Sequence, residues 1–315
     1  MSHPDVVTLG ETMASLRTGT PLRLGGTMTM TMAGAESNVA IGLARLGHAV
    51  RWAGRVGADE VGAFILRTLR AESVAVDTVV VDVHRPTGLM LAERRIADVS
   101  RVSYYRAGSA GSALTPADAV ACLADTPRIL HLTGITPALS ASAAEAVVTA
   151  VDLARRAGVL VSIDVNYRSS LWTPHEARPV LSGLVRRADI VIASEDELGL
   201  VVNDLDDARA FGELAASGVS HLVIKRGSRG ATVVHAGGAH HATAIPVAVR
   251  DTVGAGDAFT AGFLSGVLEG LGPEVALHRG AVTAAFAVAG VGDWECLPTR
   301  DELSLLGAEA GATMR

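Results

Sequence analysis

The chain has 315 residues, of which 49% are hydrophobic, 19% charged and only 3% aromatic. That apolar fraction excludes a disordered chain, and a formal net charge of −6 leaves no global basic surface for nucleic acid. Of the 27 basic residues only Lys225 is a lysine, and Arg226 follows it, so a Gly-Lys-Ser/Thr phosphate loop is impossible and a protein-kinase strand lysine is disfavoured.

Val6–Leu9 reads as a first buried strand. Residues 12–32, with alternating Met and Thr, have strand character and no helical period. Helices are expected from Glu36 to Leu46 and from Glu60 to Ala71. Residues 87–106 again read as strands. The two segments 12–32 and 87–106 are expected to pair into a small accessory sheet, one face on solvent and one free to cover a ligand or a partner subunit.

Pro116 follows a threonine, the arrangement that opens a helix, and Pro174 repeats it. Arg128–Leu132, Leu160–Asp164, Ile190–Ile192 and Leu222–Lys225 read as further strands. Helices are expected from Ser140 to Ala157, Pro174 to Arg187 and Ala255 to Glu269. Near-continuous apolar strands alternating with helices predict an α/β domain, a parallel sheet with helices on both faces. Cys122 and Cys296 form no metal or disulfide pattern. No apolar run reaches the ~18 residues of a membrane span, and no leader pattern is present, so a cytoplasmic protein with no membrane partner is expected.

The segment Asp251-Thr252-Val253-Gly254-Ala255-Gly256-Asp257-Ala258-Phe259 carries the most chemistry. Its glycines allow a tight turn that leaves backbone N–H groups free at a helix start, an anion hole for phosphate oxygens. Asp257 beside it is placed to accept a proton from an attacking hydroxyl. The plain alternative is an acid that decorates the first helical turn. Phe259 stands at the third glycine position of a dinucleotide fingerprint, which excludes that motif.

Continued through Thr260-Ala261-Gly262-Phe263, this segment resembles the C-terminal signature of the ribokinase-type (PfkB) sugar kinases. Ala33-Gly34-Ala35-Glu36-Ser37-Asn38-Val39-Ala40, ending Leu43-Ala44-Arg45-Leu46-Gly47, resembles their N-terminal signature. The resemblance implies a ribokinase-like three-layer α/β/α domain over residues 1–315 with a small β-sheet lid. It also implies transfer of the ATP γ-phosphoryl group to a sugar hydroxyl. Asp257 would be the base, and the amides of Gly254, Ala255 and Gly256 the anion hole. Tyr104 to Leu114, His131 to Leu139, and Asp164-Val165-Asn166-Tyr167-Arg168 with Leu171-Trp172 are similar to the 2-keto-3-deoxygluconate kinases of that family.

In this likeness Gly34, Asn38, Tyr104, Arg106, Ile135 and Arg168 line the substrate site, and Asp293 approaches the sugar. Arg106 and Arg168 offer forked donors that suit a sugar-acid carboxylate and that a neutral sugar would not need. Tyr104 and Tyr105 alternate across a strand, so one is expected to face the ligand and the other to pack. Lys225, Gly227, Gly230 and Thr252, with Gly254 and Gly256, form the implied ATP side, although a plain strand and hairpin turn explains Gly227 and Gly230 equally well. Glu197 aligns with the acid that helps order Mg²⁺ through water, and Ser194 stands where that motif has asparagine. Ala33 replaces the first of two usual glycines, and Met90 replaces a tyrosine. Family analogy implies a homo-oligomer. A neutral-sugar kinase, or a silent sugar-binding protein on the same fold, are the competing readings.

Overall fold

The structure is a computed structural model that describes residues 3–96 and 99–307. Positions 97 and 98 of the second accessory segment, and both chain ends, therefore lie outside the described residues. Strand β1 (Val6–Leu9) is followed by β2 (Met13–Thr18), β3 (Thr29–Ala33) and helix α1 (Ala35–Arg45). Next come β4 (Val50–Ala53), β5 (Arg55–Gly57), α2 (Glu60–Ala71), β6 (Val74–Ala75), β7 (Val80–Asp82), β8 (Leu89–Ile96) and β9 (Val99–Tyr105). Regular alternation follows with α3 (Pro116–Cys122), β10 (Ile129–Thr133), α4 (Ala141–Arg156), β11 (Leu160–Asp164) and α5 (Pro174–Val185). Then come β12 (Ile190–Ser194), the single turn α6 (Glu195–Leu198), α7 (Asp207–Ala215) and β13 (His221–Lys225). The last elements are β14 (Ala231–His235), β15 (Gly238–Ala242), α8 (Ala255–Leu268) and α9 (Pro273–Ala289).

Among the described residues the main sheet has nine strands in the order β15-β14-β13-β12-β11-β10-β1-β4-β6. It is parallel except for the β13–β14 and β14–β15 pairs. Side chains alternate across it, as the pleat requires. Val7, Leu130, Val161, Val191 and Leu222 pack on one face against α3, α4, α5 and α7. Val6, Ile129, Ile192 and Val223 pack on the other against α1, α2, α8 and α9. The same alternation sends Thr133, Asp164 and Lys225 to the α1/α8 face at the carboxyl ends of their strands, with His131 on that face in the middle of β10. This is the ribokinase-like α/β/α architecture. A second sheet, in the order β3-β2-β8-β9, has its own small core of Met13, Ala33, Met90 and Ala92.

Helix starts follow local rules. Thr115 with Asp118, and Thr173 with Glu176, form reciprocal capping boxes ahead of Pro116 and Pro174. Elsewhere tertiary packing overrides local signals. The sequence reading marks no strand at Val50–Ala53, because Arg51 interrupts the apolar run. In the fold Arg51 is buried and paired with Asp77 and Asp125. It also marks no helix over Pro273–Ala289, whose apolar residues run all round and so show no polar face. Helix α8 carries three glycines, each costing ~0.5–1 kcal/mol in a helix. Burial of Phe259, Phe263 and Leu264, at ~1.5–3 kcal/mol apiece, outweighs that.

Candidate active site

The chain runs outward from β1 first towards β4 and then, in the other direction, from β10. Ligands settle at the carboxyl ends of the strands beside such a reversal. A cavity of about 1010 Å³ opens there, between the main sheet and the small one. Every site residue named from the sequence lines it.

Gly254 caps α8 in the left-handed conformation, with φ 74°, and a Cβ there would lie 2.0 Å from the Asp293 carbonyl oxygen. Only glycine fits. Among the described residues the amides of Gly254, Gly256 and Asp257 have no acceptor and are free for an anion. The Ala255 amide differs from expectation, turning back to the Thr252 carbonyl at 3.4 Å. Asp257 is buried, and Asn38 Nδ2 donates to its Oδ2 at 2.8 Å. Asn38, expected against the sugar, thus orients Asp257. Burial pushes the Asp257 carboxyl up to about 7; the Asn38 hydrogen bond opposes that, the Asp164 charge adds to it, and Lys225 and Arg168 pull it down.

At the sugar end the two arginines differ. The Arg106 guanidinium is paired with Glu11, Nε to Oε2 at 2.6 Å, and lies 5.7 Å from the Tyr104 ring centroid. Among the described residues the Arg168 side chain makes no hydrogen bond or ion pair; it is an exposed, unpaired cation on the cavity wall. Asn166, at φ 38°, supplies the left-handed turn that leads the chain from β11 to Arg168, a conformation asparagine tolerates better than most residues. Tyr104 lines the cavity with Ile135 and Met90. Tyr105 does not pack: on the opposite face of its strand it is 62% exposed. Gly34 has extended backbone, and a Cβ would meet the Glu11 carbonyl at 2.5 Å, so its need for glycine is close approach. Ala33 is buried with no left-handed backbone, which explains why a Cβ is tolerated there.

Asp293 is engaged by a residue the sequence reading missed. Arg17 on β2 donates to Asp293 Oδ2, and to Asp251 Oδ2 at 3.0 Å, tying the small sheet to the start and end of the C-terminal helices. The two carboxylates hold its guanidinium firmly charged against the cost of burial. A signal existed: Met13 and Arg17 share one face of β2, and both line the cavity.

At the other end Lys225 Nζ donates to Asp164 Oδ2 at 2.5 Å and lies 3.4 Å from where a Cβ on Gly256 would sit. Gly227 and Gly230 bracket the turn after β13 on the same wall. Glu197 accepts the Ser194 amide at 2.7 Å and the Tyr167 amide at 2.8 Å, one on each carboxylate oxygen. Among the described residues no three His, Cys, Asp or Glu side chains gather as a metal-binding set. Each Glu197 oxygen keeps a lone pair for a water, which fits an ion that retains its hydration and takes phosphate oxygens. Ile245, Val247 and Val249, with Ala284, Ala285 and Val288 of α9, form an apolar wall that no sequence motif announced. No described helix is long and apolar enough to cross a membrane.

Free amides at a helix start, a buried carboxylate with a raised pKa beside them, and cations on both sides are the equipment of phosphoryl transfer to a hydroxyl. The pfkB family carbohydrate kinase profile matches residues 3–300, and the chain belongs to that family. It is a carbohydrate kinase. It is 38% identical over 315 residues to the 2-dehydro-3-deoxygluconokinase of Bacillus subtilis (strain 168), covering 97% of this chain and 96% of the relative. The enzyme of the same name from Thermoproteus tenax is 36% identical over 303 residues, 94% of this chain and 92% of the relative. Among solved structures, the 2-dehydro-3-deoxygluconokinase of Thermotoga maritima superposes with a TM-score of 0.87 at 27% identity, covering 100% of it and 97% of this chain.

Proposed function

We propose that the protein phosphorylates 2-keto-3-deoxygluconate with ATP, giving the 6-phosphate and ADP. Arg168 carries the reading. An unpaired guanidinium on the cavity wall suits the substrate carboxylate, and the names of the two curated relatives agree with a keto-deoxy sugar acid. Arg106, already neutralised by Glu11, acts mainly by presenting Tyr104 and fixing the rim. A volume of about 1010 Å³ accommodates a sugar acid and a nucleotide together. The apolar wall of the 245–249 segment and α9 suits the adenine ring.

In this reading the sugar hydroxyl oxygen attacks the γ-phosphorus, its proton passes to an Asp257 oxygen, and the bond to the β-phosphate oxygen breaks to leave ADP. The amides of Gly254, Gly256 and Asp257 take up charge on the transferred oxygens, and Lys225 supports it from the side. Glu197 would hold the waters of a Mg²⁺ ion bound with ATP, which would supply neutralisation of phosphate charge. The small four-stranded sheet serves as the lid of a single catalytic domain, latched by Arg17, and excludes water from the transfer.

The test is an ATP-coupled assay on 2-keto-3-deoxygluconate, ribose and fructose. Arg168→Ala is expected to raise KM for the sugar acid by about 10- to 100-fold, as expected for the loss of a charge-assisted contact, and for neutral sugars by less than about threefold. Equal changes for acid and neutral sugars would point instead to a neutral-sugar kinase.

A further inference from the structure

Lys225 and Asp164 stand on strands that are not neighbours, since β12 lies between β11 and β13. Both project towards α8, and their side chains meet at 2.5 Å. Thr260, one turn beyond Asp257 on α8, donates to the same Asp164 oxygen at 3.2 Å. Asp164 therefore joins the chain's sole lysine to the helix that carries the anion hole. It does so at a cost: it is 1% exposed, and its Oδ1 is buried with no partner. Nothing in the sugar or nucleotide contacts accounts for it, because Asp164 does not line the cavity.

We propose that Asp164 is a positioning residue for phosphoryl transfer: by gripping Lys225 it holds a charged ammonium against the N-terminus of α8, where the transferred phosphoryl oxygens gather. The proposal rests on the reading of Lys225 as a phosphate ligand. An ammonium has three donors, so one bond to Asp164 leaves others for phosphate. Burial alone would lower the Lys225 pKa; Asp164 first, then Glu197 on α6 and Asp257 on α8, reverse that and hold it above its usual range. His131 on β10 faces the same group but is neutral, pushed down to about 3 by its own burial. Asp164 has a second effect: after burial, its negative charge helps hold Asp257 basic, against the opposing Asn38 hydrogen bond and the positive charges of Lys225 and Arg168.

These two effects separate a positioning role from a structural one. In the full chain, Asp164→Asn is expected to lower kcat for the sugar acid by about 10²-fold, as loss of a preorganised charge does, with KM changed less than about threefold. Its kcat/KM profile is expected to move its acid limb down by about half a pH unit or more, because Asp257 loses a like charge. Lys225→Met is expected to lose a similar factor, and the double variant no more than Lys225→Met alone. Additive losses, or an acid limb that stays in place in Asp164→Asn, would overturn the proposal. Wild-type kcat in Lys225→Met would sink the phosphate-ligand reading underneath it; absence of wild-type turnover on any sugar acid would sink the substrate reading instead. Should Asp164→Asn not fold, the wild-type chain still decides. With one lysine, pH-dependent acetylation of that residue followed by peptide mass spectrometry reads a single ε-amine. A midpoint above the ordinary value of about 10.4 is expected, and one at or below it overturns the proposal.

Discussion

Asp257→Ala is expected to lower kcat for sugar phosphorylation by about 10²- to 10⁴-fold, the range of a lost general base, while substrate binding stays within a few fold. The wild-type pH profile is the companion measurement. A base must be unprotonated to work, and burial holds this carboxyl at about 7. Wild-type kcat/KM is therefore expected to fall about tenfold per unit as pH drops below that value, and the limb to vanish in Asp257→Ala. A wild-type profile flat down to pH 5, or turnover in Asp257→Ala within tenfold of wild type, would remove Asp257 from the role. The raised value also has a chemical benefit. A carboxylate of ordinary pKa is a weak acceptor for a hydroxyl proton, whereas one near neutrality is matched to it. Asn38 keeps that oxygen aimed at 2.8 Å without abolishing the shift.

Gly254→Ala is expected to cost about 10²- to 10³-fold in kcat, comparable to the loss of one anion-hole donor. The reason is geometric. The backbone there is left-handed, and the new methyl would overlap the Asp293 carbonyl, so the peptide must turn and the free amides turn with it. Gly256→Ala provides the comparison two residues on. Its Cβ would sit 3.4 Å from Lys225 Nζ with no left-handed backbone to distort, so its loss is expected to be at least about tenfold smaller. Steady-state rates together with thermal unfolding of the two variants decide. Equal losses would place the sensitivity of this turn in general crowding and not in the direction of its amides.

Much of the fold was legible because its signals are local. An uninterrupted apolar run such as Leu222-Val223-Ile224, or a Thr-Pro pair ahead of a helix, needs no knowledge of distant residues. Strand β4 and helix α9 were not legible, for opposite reasons. Arg51 looks like a surface residue until Asp77 and Asp125 neutralise it, and α9 has no polar face to reveal its period. The site divides in the same way. Asp257 and the glycines around it form one continuous motif, while Arg17 joins residues 234 and 276 positions away, and Asn38 reaches Asp257 across 219.

The two arginines expected at the sugar acid show where residue type stops being informative. With 27 basic residues of which all but Lys225 are arginine, Arg106 and Arg168 are equivalent as letters. Folding distinguishes them, giving Arg106 a carboxylate in Glu11 and leaving Arg168 unpaired at the cavity.

The sequence by itself determined the chemical inventory: no phosphate-loop lysine, and a helix start at Gly254 with glycines that free its amides and an acid in its first turn. It also determined the alternation that places Asp164 and Lys225 on one face of the sheet. Only the tertiary structure decided which charges meet, and with that which stay charged. Desolvation and Coulomb attraction depend on distance in space, and the partners of Lys225, Asp257 and Asp293 lie far from them along the chain.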